Sequence, residues 1–235
     1  MPQAHQDPPI PGSRSEPPPA SWAWLGRVPF AAAAALQERL RAEILAGVRS
    51  DVLLLCEHDP VISLGRSAEA KHVVASETQL REHGITVVSA SRGGDVTYHG
   101  PGQLVGYPIF RLRRGVLAHL EAMAAGIIAV LADEGIAATW RRACPGVWVG
   151  DDKICAFGVN VHRRVAIHGF ALNISPDLEG FRTIVPCGLT SGGVTSVGKV
   201  RGRATVQPAD WAPRVADAFA RSFALPMIEA RERNP

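Results

Sequence analysis

The chain predicts an α+β domain built on a largely antiparallel, mixed sheet packed with helices. Three observations carry that prediction. Two long helical stretches stand among short apolar runs, the second half is a succession of strand patterns joined by tight turns, and strict β-α-β alternation is missing. At 235 residues the chain can bury one full core, and one domain is the simplest count.

Residues 1–20 hold seven of the eighteen prolines and no apolar run, which predicts a disordered tail ahead of a single domain over 21–235. The tail lacks the basic start and apolar stretch of a signal peptide. Phe30 to Val48 (FAAAAALQERLRAEILAGV) combines strong helix formers with apolar residues at helical spacing. Val52 to Cys56 reads as a buried strand and Pro60 to Gly65 as a second one ending at a glycine. Thr78 to His83 makes a short helix closed by Gly84, and Ile85 to Val88 returns as strand. Gly115 to Glu134 is the second long helix, ended by Gly135. Val147 to Val149, Lys153 to Val161 and Val165 to Ile174 are successive strands, turned at Gly150-Asp151-Asp152 and His162-Arg163-Arg164. Asp210 to Phe223 closes the chain as an amphipathic helix, with Trp211, Val215 and Phe219 on one face. No internal repeat is present. No window reaches the ~18 apolar residues of a bilayer span, so a cytoplasmic protein without membrane contact is expected.

The charge balance, 25 basic against 22 acidic residues for a net +3, gives no reason to expect nucleic acid. Arginines at 111, 113 and 114, at 141 and 142, and at 163 and 164 are solvated surface groups, or a local basic face suited to an acidic protein partner. Cys56, Cys144, Cys155 and Cys187 show neither CxxC spacing nor His/Cys clustering, so no metal is expected. Without a secretory signal the thiols should stay reduced, each a small buried hydrophobe or a reagent.

Chemistry concentrates in three places. From Arg92 to Pro108, five glycines and two prolines alternate with Arg, Asp, Thr, Tyr, His and Gln. Glycine weakens a plain strand but lets a backbone turn tightly or approach a ligand. The segment therefore reads as the wall of a binding site, against the blander reading of a polar hairpin facing water. It contains neither GxxxxGK[ST] nor a GxGxxG opening a helix, so no phosphate cradle is implied. Cys187 lies between Pro186 and Gly188, on a turn where a thiol can be exposed and activated. Taken alone, a loop cysteine is more often incidental than catalytic. Lys153 opens a strand, and simple alternation puts it on the face of Cys155 and Phe157. There a desolvated amine can act as a base, unless the side chain snorkels to water.

The motifs RGGxxTYHGPGQ from Arg92, KIxAxGV from Lys153, HGxALN from His168 and PCGL from Pro186 occur in that order, with Glu57-His58-Asp59-Pro60-Val61 and Leu64-Gly65 upstream. Together, from roughly Leu53 to Val197, they resemble the lipoyl(octanoyl) transferase family. The resemblance implies the fold of the biotin/lipoate protein ligase catalytic domain. It also implies transfer of an octanoyl group from octanoyl-acyl carrier protein, through a Cys187 thioester, to a lysine of lipoyl domains. Acceptors of that kind are 2-oxoacid dehydrogenase E2 subunits and the glycine cleavage H protein, and no cofactor is implied. Cys187 matches the family's nucleophile and Lys153 the lysine that favours its thiolate. Arg92, Gly93, Gly94, Asp95, Val96, Thr97, Tyr98 and His99 match the first acyl-binding segment; Ala156, Phe157 and Gly158 the second; Gly169, Phe170 and Ala171 the third. His99 is expected to shape the site by hydrogen bonding.

Two positions depart from the pattern. Asp59 stands where the family often has a second proline. Cys155 occupies a place usually small or apolar, and puts a second thiol beside Lys153 as the rival to Cys187. Three other readings stay open: an ATP-dependent ligase on the same fold, which needs no cysteine; a non-catalytic acyl-binding module; and a thioesterase.

Overall fold

The computed structural model describes residues 19–185, 192–202 and 207–230. Residues 1–18 of the tail expected over 1–20, and Cys187, lie outside them. In chain order the elements are β1 (Ala20–Arg27), α1 (Phe30–Leu45), β2 (Val52–Glu57), β3 (Val61–Leu64), α2 (Glu77–Glu82), β4 (Thr86–Ser89), β5 (Val96–His99), β6 (Gln103–Ile109), α3 (Val116–Asp133), β7 (Thr139–Arg141), β8 (Gly146–Val149), β9 (Asp152–His162), β10 (Val165–Asn173), α4 (Val197–Arg201), α5 (Pro208–Ser222) and β11 (Met227–Glu229). Two 3-10 turns, Ala70–His72 and Leu178–Thr183, lie between them.

The strands form two sheets. The larger runs β11-β1-β2-β6-β10-β9-β8-β7, parallel among its first three strands and antiparallel thereafter. The smaller runs β4-β3-β5. This is the α+β architecture the sequence predicts, with helices on both faces of the large sheet. On one face α1 lays down Ala33, Leu36, Leu40 and Ile44 against Leu54, Val105, Tyr107 and Ile167. On the other, α3 and α5 bury Met123, Ile127, Trp211 and Phe219 against Leu53, Leu55, Leu104 and Leu172. The split follows the two-residue side-chain period of each strand. A third, small core under β3 and β5 holds Ile62, Leu80, Val96 and Tyr98.

Most element ends follow local chemistry. Gly47 in the left-handed region stops α1 three residues before the expected Val48. A Ser76–Gln79 capping box starts α2. The β9–β10 hairpin turns through Arg163 and Arg164, both at positive φ.

Four expectations need correction. The expected tail boundary after residue 20 falls one residue too late, because Ala20 is fully buried in β1, a strand the sequence reading left out. The membrane test also changes: among the described residues α3 is long and apolar enough to cross a bilayer, with mean hydropathy 1.7. Its apolarity is used here to pack on α5 and the sheet. The Gly/Pro-rich segment contributes a central strand, β6, buried at every residue. Proline is tolerated there because the β6–β10 ladder stops at Gly106↔Phe170, just before Pro108 would owe β10 a donor. The fourth concerns Lys153 and belongs to the site.

Candidate active site

A cavity of about 320 Å³ opens where β9 and β10 meet the loop that leads into β5. Three separate segments supply its walls: Arg92, Gly93, Gly94, Asp95, Val96, Thr97 and His99; Ala156, Phe157 and Gly158; Gly169, Phe170 and Ala171. Lys153 lines it as well. The glycines are where backbones meet. The Gly93 amide donates to the Val159 carbonyl at 2.9 Å, and a Cβ on Gly158 would stand 3.0 Å from the Gly93 oxygen. Tyr98 is the exception among the expected wall residues. Alternation along β5 turns its ring away, against Phe181 at 5.4 Å between centroids. The Phe170 ring likewise enters the α3/α5 core, 5.2 Å from Phe219.

Buried polar groups tie the wall together. Arg92 donates from Nε and Nη2 to Ser63 Oγ at 3.1 and 2.9 Å, and from Nη2 to the Ser63 carbonyl at 2.5 Å. Ser63 Oγ lies 3.2 Å from His99 Nε2, and His99 Nδ1 lies 2.7 Å from Gln103 Oε1. Gln103 Nε2 donates to Asn173 Oδ1 at 2.9 Å, and Asn173 Nδ2 to the Thr195 carbonyl at 3.0 Å. Desolvation, helped by the nearby His58, pushes the His99 pKa down to about 3. His168 is pushed to about 4, first by burial and then by Arg92. Both rings are neutral at pH 7, and His99 has both nitrogens engaged, so neither is poised as an acid. Behind them His58 donates from Nδ1 to the Val28 carbonyl at 2.7 Å and accepts from the Tyr107 hydroxyl at 2.6 Å.

Lys153 reaches the cavity by a route that simple alternation does not foresee. Val147 pairs with Cys155 but Trp148 pairs with Lys153, leaving Ile154 as an extra, bulged residue. The bulge sends Ile154 and Cys155 together into the α3/α5 core and frees Lys153 for the cavity. Cys155 is fully buried, and burial drives its pKa well above the usual thiol value. It is therefore not the rival thiol. Cys144 is: its Sγ accepts from Lys153 Nζ at 3.1 Å and lines the same cavity. The ammonium also lies over the Trp148 ring, 4.9 Å from its centroid.

The described residues flanking 186–191 are anchored through the cavity wall on one side and at this lysine on the other. Val185 N–H donates to the His72 carbonyl at 2.8 Å, and His72 Nδ1 meets Asp95 Oδ2 at 2.5 Å. On the other side, Lys153 N–H donates to the Gly193 carbonyl at 2.9 Å and Thr195 N–H to the Lys153 carbonyl at 3.0 Å.

Sequence reasoning passed over Ser63, Gln103, His168, Asn173 and Cys144 as working parts. His168 and Asn173 stand inside a motif already singled out, and Gln103 ends another. Cys144 carried no local signal, since its approach depends on the bulge.

Residues 29–220 match the family model described as lipoyl protein ligase A/B catalytic domain. The chain is 47% identical over 203 residues to an octanoyltransferase of Solibacter usitatus, covering 85% of this chain and 89% of that one. It is 42% identical over 215 residues to an octanoyltransferase of Myxococcus xanthus, covering 88% of this chain but only 60% of that relative's length. Among solved structures, lipoate-protein ligase A bound with ATP superposes with a TM-score of 0.70 at 15% identity, over 91% of this chain and 90% of that one. At that identity the likeness is one of fold, and the fold is that of the lipoate protein ligase catalytic domain.

Proposed function

The chain belongs to the octanoyltransferase family, built on the lipoyl protein ligase A/B catalytic domain, and from that premise we propose that it moves an octanoyl group from octanoyl-acyl carrier protein to a lysine of a lipoyl domain. The observation that carries the reading is a buried amine, Lys153, at a cavity walled by Ala156, Gly158, Gly169 and Ala171. Small residues leave room for an unbranched chain. Burying the seven tail carbons at ~0.8 kcal/mol each supplies roughly 5–6 kcal/mol before the losses of binding.

In this mechanism the Cys187 thiolate attacks the thioester carbonyl. A carbon–sulfur bond to Cys187 forms as the bond to the carrier's sulfur breaks, and that sulfur leaves as a thiolate and takes a proton from the Lys153 ammonium, which becomes the neutral amine. The neutral amine of the acceptor lysine then attacks the acyl-enzyme. The amide forms, Cys187 leaves as thiolate, and the amine's surplus proton passes to Lys153 acting as base. Exchanging one thioester for another costs little bond energy, so the acyl group stays reactive. Lys153 as ammonium favours the Cys187 thiolate in the first step. Lipoyl domains of 2-oxoacid dehydrogenase E2 subunits and of the glycine cleavage H protein are the acceptors in this reading. A reducing cytoplasm is its setting, because the nucleophile must remain a free thiol.

Intact-mass spectrometry after incubation with octanoyl-acyl carrier protein, without ATP, tests the reading. The expected result is a gain of one octanoyl group, discharged by a lipoyl domain and lost in Cys187→Ala. Transfer that requires ATP would overturn it in favour of a ligase, and discharge to water alone in favour of a thioesterase.

A further inference from the structure

The hydrogen-bond chain along the cavity wall has only one possible proton direction, because both of its ends are fixed. At one end the Arg92 guanidinium can only donate; at the other the Thr195 carbonyl can only accept. Asn173 must therefore turn Nδ2 to Thr195, which leaves its Oδ1 facing Gln103. Gln103 gives its Nε2 protons to that oxygen and to the Tyr98 carbonyl, 3.3 Å away, and so turns Oε1 to His99. His99 then carries its proton on Nδ1. Its bare Nε2 takes the Ser63 hydroxyl proton, and Ser63 Oγ accepts from Arg92. Flipping either amide, or both, sets carbonyl oxygens face to face at Tyr98 or Thr195.

We propose that Gln103 is a positioning residue for acyl transfer: by passing this one-way chain through its amide it holds His99 as the Nδ1–H tautomer and couples the Arg92 wall to the segment paired with Lys153. The coupling is direct in space. Gln103 holds Asn173, Asn173 holds the Thr195 carbonyl, and the Thr195 amide holds the Lys153 carbonyl. Loss of the Gln103 amide leaves Asn173 Oδ1, His99 Nδ1 and the Tyr98 carbonyl short of a partner in a buried place, and loosens the backbone that carries the lysine. The kinetic half of the proposal rests on the octanoyl-transfer reading; the tautomer half does not.

The first measurement is a histidine 15N–1H correlation spectrum of the wild-type protein without substrate. His99 is expected as Nδ1–H; an Nε2–H tautomer, or an imidazolium at pH 7, overturns the proposal. The second compares Gln103→Met, which makes neither bond, with Gln103→Glu, which can accept from His99 but has no proton for Asn173. Both are expected to lower kcat by about tenfold, the scale of an unsatisfied buried polar group. KM for octanoyl-acyl carrier protein should stay within about twofold, as for a group that positions rather than binds. Only Gln103→Glu, with a carboxylate against Nδ1, should raise the pH at which His99 protonates. Wild-type kcat in Gln103→Met, or a loss confined to KM, overturns the positioning role. Should a variant fail to fold, the wild-type spectrum still decides. A wild-type protein that transfers no octanoyl group would sink the functional reading and leave the tautomer result standing.

Discussion

Acid should unfold this protein well before its carboxylates are neutralised, and the cause is histidine. His99 is held at about 3, His119 and His168 at about 4, each chiefly by burial. His58 is shifted the same way. The unfolded value is about 6.5. A histidine whose folded pKa is depressed contributes its full stability above pH 6.5. As pH falls below that, the unfolded chain takes up a proton that the native state refuses. Between pH 7 and pH 5 each such group forfeits about 2 kcal/mol by linkage, so the three with stated values forfeit about 5–6 kcal/mol together. That equals the whole stability of many domains, roughly 5–15 kcal/mol. The loss should start near pH 6.5, be steepest between 6 and 4, and flatten once the native histidines protonate. Asp51, whose pKa is raised by desolvation, acts in the opposite sense at lower pH. Urea unfolding followed by tryptophan fluorescence at pH 7.5, 6.5, 5.5 and 5 would read the curve. The slope near pH 5.5 should correspond to about three protons, and His119→Leu should remove about one of them. His119 is the cleanest choice because its ring sits among Phe110 and Phe223, away from the cavity. A urea midpoint unchanged from pH 7.5 to 5 would refute the reasoning, and so would a slope that His119→Leu leaves intact.

Other outcomes follow from single contacts. Gly169→Ala would put a Cβ 2.5 Å from Pro108 Cδ and closer still to the Gly106 carbonyl; neither can yield, so a loss of roughly 2–4 kcal/mol in a denaturation series is expected, with transfer abolished. An unchanged midpoint would mean that β10 and β6 separate freely there. Among Cys56, Cys144 and Cys155, iodoacetamide should label Cys144 first, because the other two are fully buried; peptide mapping reads the order. By the same logic, any octanoyl group retained by Cys187→Ala should map to Cys144. Deleting residues 1–18 should leave transfer rate and melting temperature unchanged, whereas extending the deletion through Ala20 removes a buried β1 residue and should lower the melting temperature.

How far the sequence could be read depended on the range of the interaction. α1, α3 and α5 were legible because helical spacing is local, as are the glycines that follow α1 and α3. So were the β8–β10 strands, with turn residues between apolar runs. β1 and β6 were not: a strand held by neighbours far along the chain, as β6 is by β2 and β10, need not look like a strand by composition. The smaller sheet was hidden for the same reason. Its pairing of Ser63 with Thr97 is what brings Arg92, Ser63 and His99 together, and no window of sequence contains all three. Three of the four motifs supply segments that line the cavity, and the fourth, from Pro186, lies outside the described residues. They could not say which side chains face the cavity, and Tyr98 and Phe170 turn their rings elsewhere.

The position of Lys153 shows why that limit matters for function. With an unbroken two-residue period, Lys153 would share the face of Cys155 and its charge would enter the α3/α5 core. A buried, unpaired ammonium is costly enough that the fold would reject it or the lysine would lose its proton. One extra residue, Ile154, resolves the conflict by supplying a core side chain out of phase and moving the next residue to the other side. The same irregularity ends regular pairing with β10, since that ladder begins at Cys155, opposite Leu172. The freed edge of Lys153 is taken by residues 193–195, which lead directly from the segment containing Cys187. A regular strand would have offered that edge to β10 and kept the lysine from the cavity. The access of Lys153 to the cavity therefore depends on a local break in the sheet, and such a break is visible only when both partner strands are in view.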